Sequence, residues 1–427
     1  MSHDQIAKII VTLISVFLLI DTMNGFFVLG MGVDLKISVF YKSFLLVFLI
    51  IYLIKYNLKV ILATVVFFVL FMAGEVATIF GLTSSAEKLS FVVQHITKLI
   101  TPFLLFFFLL DRSNRDPDIY LKIERVMLFN CIIFLANIFV GVLGFGFSTY
   151  GGSVTESSVG VKGFFYAGNE ISTLLVIFAG FYLSKTYLKS KLAFLFFSAF
   201  WIGVGFLIST KTAMLAIIVL SLCIPIIFEG PRIFLLNNLV SIVFMAIVLV
   251  IIVQAFFIYE IFKDTMIYGR LDFMYRKSGM LGIIFSGRST FLVDMWAYFY
   301  KELSVYTLLL GNGVSYYADS IKYAVELDIP DVFFWHGILG VAIVLFVFMT
   351  LTAFSARNFF SPYHPYAATI FLVNMMLFGI SNFSGHVFTS GMLGFLWPCF
   401  AILAKYSSRP SDGLEWMSGN NNESPNN

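Results

Sequence analysis

The sequence predicts an all-α, multi-pass membrane protein with about twelve transmembrane helices and one large, partly helical outer loop. Hydrophobic residues make up 60% of the 427 residues, charged residues only 12%, and the mean hydropathy is +0.95. A soluble domain carries about 25% charged residues. The apolar runs lack the two-residue alternation of a membrane β-barrel, and backbone polar groups in lipid need internal partners, so we expect the spans to be helices.

Many of the apolar runs approach the roughly 20 residues that a helix needs to cross the hydrocarbon core. We predict one integral membrane domain over residues 1–405 and a disordered cytoplasmic tail over residues 406–427, which is polar and rich in Pro, Gly and Asn. The division of residues 6–36 and 365–405 into spans is ambiguous. The candidate spans cover residues 6–23, 37–55, 60–81, 92–110, 125–145, 169–184, 192–209, 212–228, 237–258, 332–353, 365–382 and 388–405.

The basic residues predict the orientation of the bundle. With the N-terminus inside, the inner segments hold 14 of the 27 Lys and Arg residues, the short outer segments hold six, and the long loop of about residues 259–330 holds seven. Long loops are exempt from the positive-inside rule. The orientation is therefore decided by comparing the fourteen basic residues of the inner segments with the six of the short outer segments. We expect both termini to lie inside and the long loop outside.

Two Gly-Arg pairs in this loop are candidate phosphate ligands, at Arg270 and Arg288. Arginine presents a planar fork of donors that can hold two phosphate oxygens, although solvated loop arginines are also common. Arg288 precedes the segment FLVDMWAYFY, in which apolar side chains recur at helical spacing. This pattern predicts an amphipathic helix on the membrane surface and favours Arg288 over Arg270.

Three acids, Glu326, Asp328 and Asp331, lie within six residues, immediately before the span predicted at residues 332–353. Carboxylates at this boundary disfavour lipid contact and are expected to face a wet pocket. They could act as a general base for a sugar hydroxyl and bind further hydroxyls. The alternative is an acidic helix N-terminus that complements the helix dipole. His336, one turn into the span, could assist or could be structural.

Two outer segments carry further candidates. Lys211 opens a span beside Ser and Thr residues, which suits a diphosphate at the head-group boundary but also an ordinary interfacial lysine. Asn169 and Glu170 open the sixth span and Tyr166 precedes it, and aromatic, amide and carboxylate groups of this kind bind sugars. An aromatic belt with a helix cap is the alternative. Glu75, inside the third span, is expected to face the bundle interior.

These segments, in this order, resemble the O-antigen polymerase and O-antigen ligase superfamily of bacterial envelope glycosyltransferases. The matching elements are the Gly-Asn-Glu segment after an aromatic outer loop, the Ser-Thr-Lys start of a later span, the loop Gly-Arg, and the acidic stretch that ends in HGILG. The resemblance covers most of the chain at the level of topology, through short motifs.

The resemblance implies a metal-independent and cofactor-independent glycosyltransferase in the bacterial cytoplasmic (inner) membrane. Its donor would be an oligosaccharide joined through diphosphate to a polyprenyl lipid, with Lys211 and Arg288 holding the diphosphate and Arg270 as a third candidate. Glu326 or Asp328 would take the proton of the acceptor hydroxyl. The partners implied are this lipid-linked oligosaccharide, the lipid bilayer, a chain-length regulator and a flippase, and no nucleic acid.

The acidic stretch distinguishes two branches of this superfamily. Ligases carry a His-Asn pair about eleven residues before the Gly-x-x-Gly turn, whereas here the place is held by Glu326. This departure favours a polymerase that joins repeat units into a surface polysaccharide. An O-antigen ligase and a flippase for lipid-linked glycans are the alternatives.

Overall fold

The computed structural model describes residues 2–81, 86–150, 159–166, 168–230, 287–318 and 324–407, with a few isolated positions between 272 and 285. The candidate span at residues 237–258, the loop residue Arg270 and the tail beyond residue 407 lie outside the described residues.

Eight long helices form the N-terminal half of the described chain, and a two-stranded antiparallel hairpin separates the fifth helix from the sixth. A π-helical turn, Phe26–Gly30, continues the first helix. The hairpin was not expected in an all-α chain. The elements are α1 (His3–Gly25), α2 (Ile37–Tyr56), α3 (Leu58–Gly81), α4 (Ala86–Arg115), α5 (Ile119–Val142), β1 (Phe147–Tyr150), β2 (Val159–Gly163), α6 (Gly168–Lys189), α7 (Lys191–Ile208) and α8 (Lys211–Glu229).

The described segment of the long loop is helical, as predicted. It contains α9 (Arg288–Lys301), α10 (Val305–Leu310) and α11 (Val314–Ala318). The chain then continues as α12 (Asp328–Arg357), α13 (Ala367–Phe383) and α14 (Leu393–Ile402), which ends in a short 3-10 turn, Leu403–Lys405.

Nine of the described helices are long and apolar enough to cross a membrane, namely α1 to α8 and α12. This confirms a helical, multi-pass membrane protein, and each of the nine coincides with a predicted span. The apolar runs at 365–382 and 388–405 form shorter helices of 17 and 10 residues. The second is shortened because residues 384–392 form a loop whose backbone is bound by side chains of other helices.

The spans pack around one large apolar core, in which α4 and α6 are the most buried. A smaller apolar cluster lies under the long loop and joins α9 and α11 to the start of α12 through Met295, Phe299, Tyr317, Phe334 and Trp335. The described segment of the long loop is therefore packed against the bundle. Its helix α9 starts at Arg288 and has one packed face, while Val293, Trp296 and Tyr300 are exposed.

The bundle has two ends that differ in the segments they carry. Arg112, in the last turn of α4, donates to Asp4 Oδ1 at 2.9 Å, and Lys405 donates to Ser113 Oγ at 3.0 Å. The first and last described residues therefore lie at one end, which we call the terminal end. The hairpin, the described outer loop and residues 384–392 lie at the opposite end, which we call the loop end.

Candidate functional site

A cavity of about 1130 Å³ opens at the loop end of the bundle. Side chains of α1, α2, α4 and α6 form its wall together with residues 390–395. Its polar lining includes Asp21, Lys36, Lys42, Lys98 and Glu170. A concave space of this size, with a few charged groups on mostly preformed helices, has the properties of a ligand site.

Two lysines of the cavity lie close together at Gly391. Lys42 Nζ and Lys98 Cε lie 3.2 Å and 3.7 Å from the position that a Cβ on Gly391 would take. Lys42 donates to Asp21 Oδ2 at 2.7 Å, which balances its charge. Lys98 makes no ion pair with any residue that the structure describes. Lys98 is therefore the cation of this pair that an anionic ligand can neutralise. The cavity lining as a whole holds three lysines and three acids, namely Lys36, Lys42, Lys98, Asp21, Asp34 and Glu170.

The loop formed by residues 384–392 closes one side of the cavity and is bound at its start by Asp328. The Asp328 carboxylate accepts hydrogen bonds from three successive backbone N–H groups, those of residues 386–388, at 2.7–3.0 Å. It also accepts from Thr389 Oγ1 at 3.0 Å. Four donors occupy the carboxylate, and Asp328 is only 1% exposed. Its observed role is to hold this loop.

Glu170, in the first turn of α6, binds the other end of the same loop. Its carboxylate accepts from Ser390 Oγ and from the Met392 backbone N–H, the latter at 3.3 Å. The cavity wall at Gly391 is thus fixed to α12 on one side and to α6 on the other, which holds this wall beside the two lysines.

Asp331 has a similar role within the first turn of α12. Its carboxylate accepts from the backbone N–H groups of residues 325–327 at 2.6, 3.0 and 3.1 Å. These bonds hold Glu326 in a left-handed conformation, with φ of 67°. Gly385 packs directly against this turn, since a Cβ there would lie 2.2 Å from the Glu326 carbonyl oxygen. The acidic turn and the 384–392 loop therefore form one unit.

Arg288 and Glu326 form an ion pair beside this unit. Arg288 Nη2 donates to Glu326 Oε2 at 3.1 Å across 38 residues of sequence. Arg288 is 8% exposed, and its Nε is buried with no hydrogen-bond partner among the described residues. The Glu326 side chain is 31% exposed. Two of the predicted residues are thus brought together, and the carboxylate of the pair is accessible to a ligand.

The remaining predicted residues occupy three different environments. Tyr166 lines the cavity and is 65% exposed, and Asn169 is the second residue of α6. Lys211 is the first residue of α8, at the loop end but, like Arg288 and Glu326, outside the described cavity wall. His336 is fully buried, and its Nδ1 is bonded to the Phe71 carbonyl oxygen at 3.1 Å, which indicates a packing role.

Glu75 has a structural partner that the sequence did not suggest. This fully buried residue of α3 accepts hydrogen bonds from the backbone N–H groups of Val314 and Ser315 and from Ser315 Oγ. It binds the first turn of α11, so the segment LGNGVS of the outer loop is anchored inside the bundle. Ser315 also lines the cavity.

Sequence reasoning missed three charged residues of the cavity, Asp21, Lys42 and Lys98. A signal was present, because each of these residues interrupts an apolar run: LLIDTM, VFYKSF and HITKLI. Ionisable groups within spans are costly and most often face a bundle interior or a wet cavity. Only the packing of α1, α2 and α4 reveals that the three share one cavity.

The fold and the site together define a multi-pass helical membrane protein with a charged, water-accessible cavity at one end of its bundle. No protein-family model, curated protein or solved structure matches this chain.

Proposed function

We propose that this chain is a membrane glycosyltransferase that joins polyprenyl-diphosphate-linked oligosaccharides into longer polysaccharide chains. The observation that carries the proposal is that two cationic side chains, Lys42 and Lys98, lie together at Gly391 in a cavity of about 1130 Å³. The cavity combines cations for a diphosphate with hydroxyl, amide and aromatic groups for sugars. Its volume accommodates several sugar rings, since pockets of about 300–1,000 Å³ hold drug-sized ligands.

In this proposal Lys42 and Lys98 hold the donor diphosphate. Negative charge builds on the bridging phosphate oxygen as the bond to the anomeric carbon breaks. Preorganised donors aimed at such an oxygen lower a barrier by ~3–4 kcal/mol. The cations at the cavity thus take over the role expected of Lys211. Arg288 is assigned to the acceptor side because its observed partner is Glu326.

Glu326 is the proposed proton acceptor for the attacking sugar hydroxyl. Asp328 and Asp331 are occupied by backbone N–H donors, whereas the Glu326 side chain is partly exposed and is oriented by Arg288. Proton removal by a positioned carboxylate contributes roughly 10²–10⁴-fold to a rate. The reaction then ends with release of the polyprenyl diphosphate, and no nucleotide sugar is required.

The proposal places the loop end on the outer face of the bacterial cytoplasmic membrane and both termini in the cytoplasm. The fourteen-to-six distribution of basic residues supports this orientation. A lipid-linked donor would then reach the cavity from the outer leaflet. A ligase would use the same donor and the same cations, and would differ in its acceptor.

One observation favours a second candidate, a flippase for lipid-linked glycans. Asp21 and Lys42 form an ion pair between two spans, and Lys98 lies in a third. Charges of this kind within the spans are expected in a transporter. The two functions differ in product, because a flippase moves its lipid without lengthening the glycan.

The test is an elongation assay with the full chain in liposomes. A polyprenyl-diphosphate-linked oligosaccharide is added, and both glycan length and released polyprenyl diphosphate are measured. We expect longer glycans and stoichiometric release with the wild type, and at least a 100-fold slower reaction with K42Q/K98Q. The control K211Q is expected to remain active. Movement of the lipid across the bilayer without elongation would favour the flippase and exclude the polymerase.

A further inference from the structure

A groove of about 420 Å³ runs along the outside of the bundle between α1 and α5, toward the terminal end. It is separate from the cavity at the loop end and shares no residue with it. Its walls are mostly apolar, and two basic residues of α5, Lys122 and Arg125, belong to its lining. Val126, Leu128, Phe129 and Ile132 continue the wall on the same helix.

The bottom of the groove is rigid because a buried amide joins its two helices. Asn130 of α5 donates to the Ile14 carbonyl oxygen at 3.2 Å and accepts from the Leu18 backbone N–H at 3.4 Å. Its side chain is fully buried. Helices α1 and α5 are therefore held at a constant distance, and the groove is a feature of the folded state.

The wall of the groove faces the region of the acyl chains. Leu128, Phe129 and Ile132 are 49%, 39% and 53% exposed, and both α1 and α5 are candidate spans. Arg125, Phe129 and Ile132 follow one another at spacings of four and three residues, so they form one stripe along α5. The stripe changes from cationic at the terminal end to apolar toward the middle of the bundle.

The charges at the mouth of the groove are not balanced. Lys122 Nζ lies 2.7 Å from Asp116 Oδ2, and Arg112 Nη2 lies 3.0 Å from the same oxygen. Burial would raise the pKa of Asp116, but its bonds to Lys122 and Arg112 outweigh burial and hold the pKa below the usual range. Arg112 also pairs with Asp4 Oδ1 at 2.9 Å, so two carboxylates serve Lys122 and Arg112. Arg125, by contrast, makes no ion pair within the described chain.

We propose that this groove is a binding site for one anionic glycerophospholipid. The lipid phosphate lies between Lys122 and Arg125, and one acyl chain follows the stripe of Phe129 and Ile132. Basic pockets between transmembrane helices bind anionic head groups in this way, and each Lys or Arg near the surface contributes about 1 kcal/mol. Lys8 lies four residues before Thr12 on α1, so helical spacing puts a further cation on the same face of this helix, beyond the groove lining. The site does not depend on the function proposed for the cavity.

The test measures lipid binding to the purified full chain in detergent. Phosphatidylglycerol and phosphatidylcholine with matched acyl chains are titrated, and bound lipid is counted by native mass spectrometry. We expect the affinity for phosphatidylglycerol to fall about 5-fold in R125Q and about 30-fold in K122Q/R125Q. The control K189Q removes an exposed lysine next to the start of α7 and is expected to bind as the wild type does.

Three outcomes would overturn the proposal: unchanged affinity in R125Q, equal binding of the two lipids by the wild type, or an equal loss in K189Q. Competition by glycerol phosphate at the same concentration as the lipid would also overturn it, by showing that the groove binds a free phosphate and not a lipid. Because the Arg125 side chain is exposed and makes no ion pair with the described residues, R125Q is expected to fold even if the double variant does not.

Discussion

Asp328 and Glu170 lie 158 residues apart in the sequence, yet they hold opposite ends of the same loop. Asp328 binds the backbone at residues 386–388, and Glu170 binds Ser390 and Met392. The loop between them places Gly391 against Lys42 and Lys98. Asp328, which the sequence suggested as a base, and Glu170, which it suggested for sugar binding, thus have an architectural role at the site.

Asp328→Asn is expected to destabilise the protein by ~3 kcal/mol, because an amide offers one acceptor atom to four donors and brings two donors of its own. Thermal unfolding in detergent measures the effect, and the exposed Asp118→Asn serves as the control. If the variant lost elongation activity while its thermal stability stayed unchanged, the architectural role would be contradicted. Asp328 would then again be a candidate for the general base.

Arg288→Ala is expected to abolish long-chain polysaccharide while the protein still inserts into the membrane. The substitution removes the group that orients Glu326, so elongation should fall about 100-fold, within the range of a positioned base. Arg288→Lys, which keeps the charge, should recover some of the activity. Gel analysis of surface glycan in cells that lack the native copy measures chain length, and a normal length with Arg288→Ala would contradict the assignment.

Glu326→Gln tests the proposed proton acceptor directly. The substitution keeps the shape of the side chain and removes its basicity, so elongation should fall by a factor of roughly 10²–10⁴ while donor binding persists. The elongation assay with a donor titration separates the two effects. Glu302→Gln, on an exposed residue of the same outer loop, is the matched control. Full activity of Glu326→Gln would remove this residue as the base.

Glu75→Gln is expected to release α11 from α3. The buried carboxylate accepts from two backbone N–H groups and one hydroxyl, and an amide would place a donor against a donor. A loss of ~2–3 kcal/mol follows from leaving buried donors unsatisfied. Faster limited proteolysis of the segment after residue 313 measures the release, and an unchanged cleavage rate would contradict the anchoring role.

A comparison of Gly313→Ala with Gly144→Ala separates the stability cost of steric crowding from that of backbone strain. Gly313 and Gly144 have similar φ values of 83° and 86°, but a Cβ on Gly313 would lie 2.7 Å from Glu75 Oε2, whereas nothing lies within 4 Å of one on Gly144. Both alanine variants carry the left-handed strain of about 1–2 kcal/mol. Only Gly313→Ala should show a further loss in thermal stability, and equal losses in the two variants would contradict the close packing.

The sequence by itself determined the class of fold. Long apolar runs with few charges must become helices in a lipid bilayer, because their backbone groups have no other partners. The nine long helices therefore coincide with predicted spans, and α9 begins at the predicted Arg288. The run at 365–382 forms α13 over nearly the same residues, Ala367–Phe383, whereas the run at 388–405 forms a shorter helix. Hydropathy does not register that buried carboxylates bind the backbone of residues 384–392 in a loop.

Only the tertiary structure decided which polar residues meet. Asp21, Lys42 and Lys98 lie on three helices, and a lysine in an apolar run looks the same in sequence whether it faces lipid, water or a cavity. Conversely, Asp328 and Asp331 resemble catalytic acids in sequence, but their oxygens are occupied by donors up to 61 residues away. Glu170, which the sequence suggested for sugar binding, accepts from groups up to 222 residues away. Burial and hydrogen-bond geometry depend on how the helices pack. The distance between two residues along the chain does not predict whether that packing brings them together.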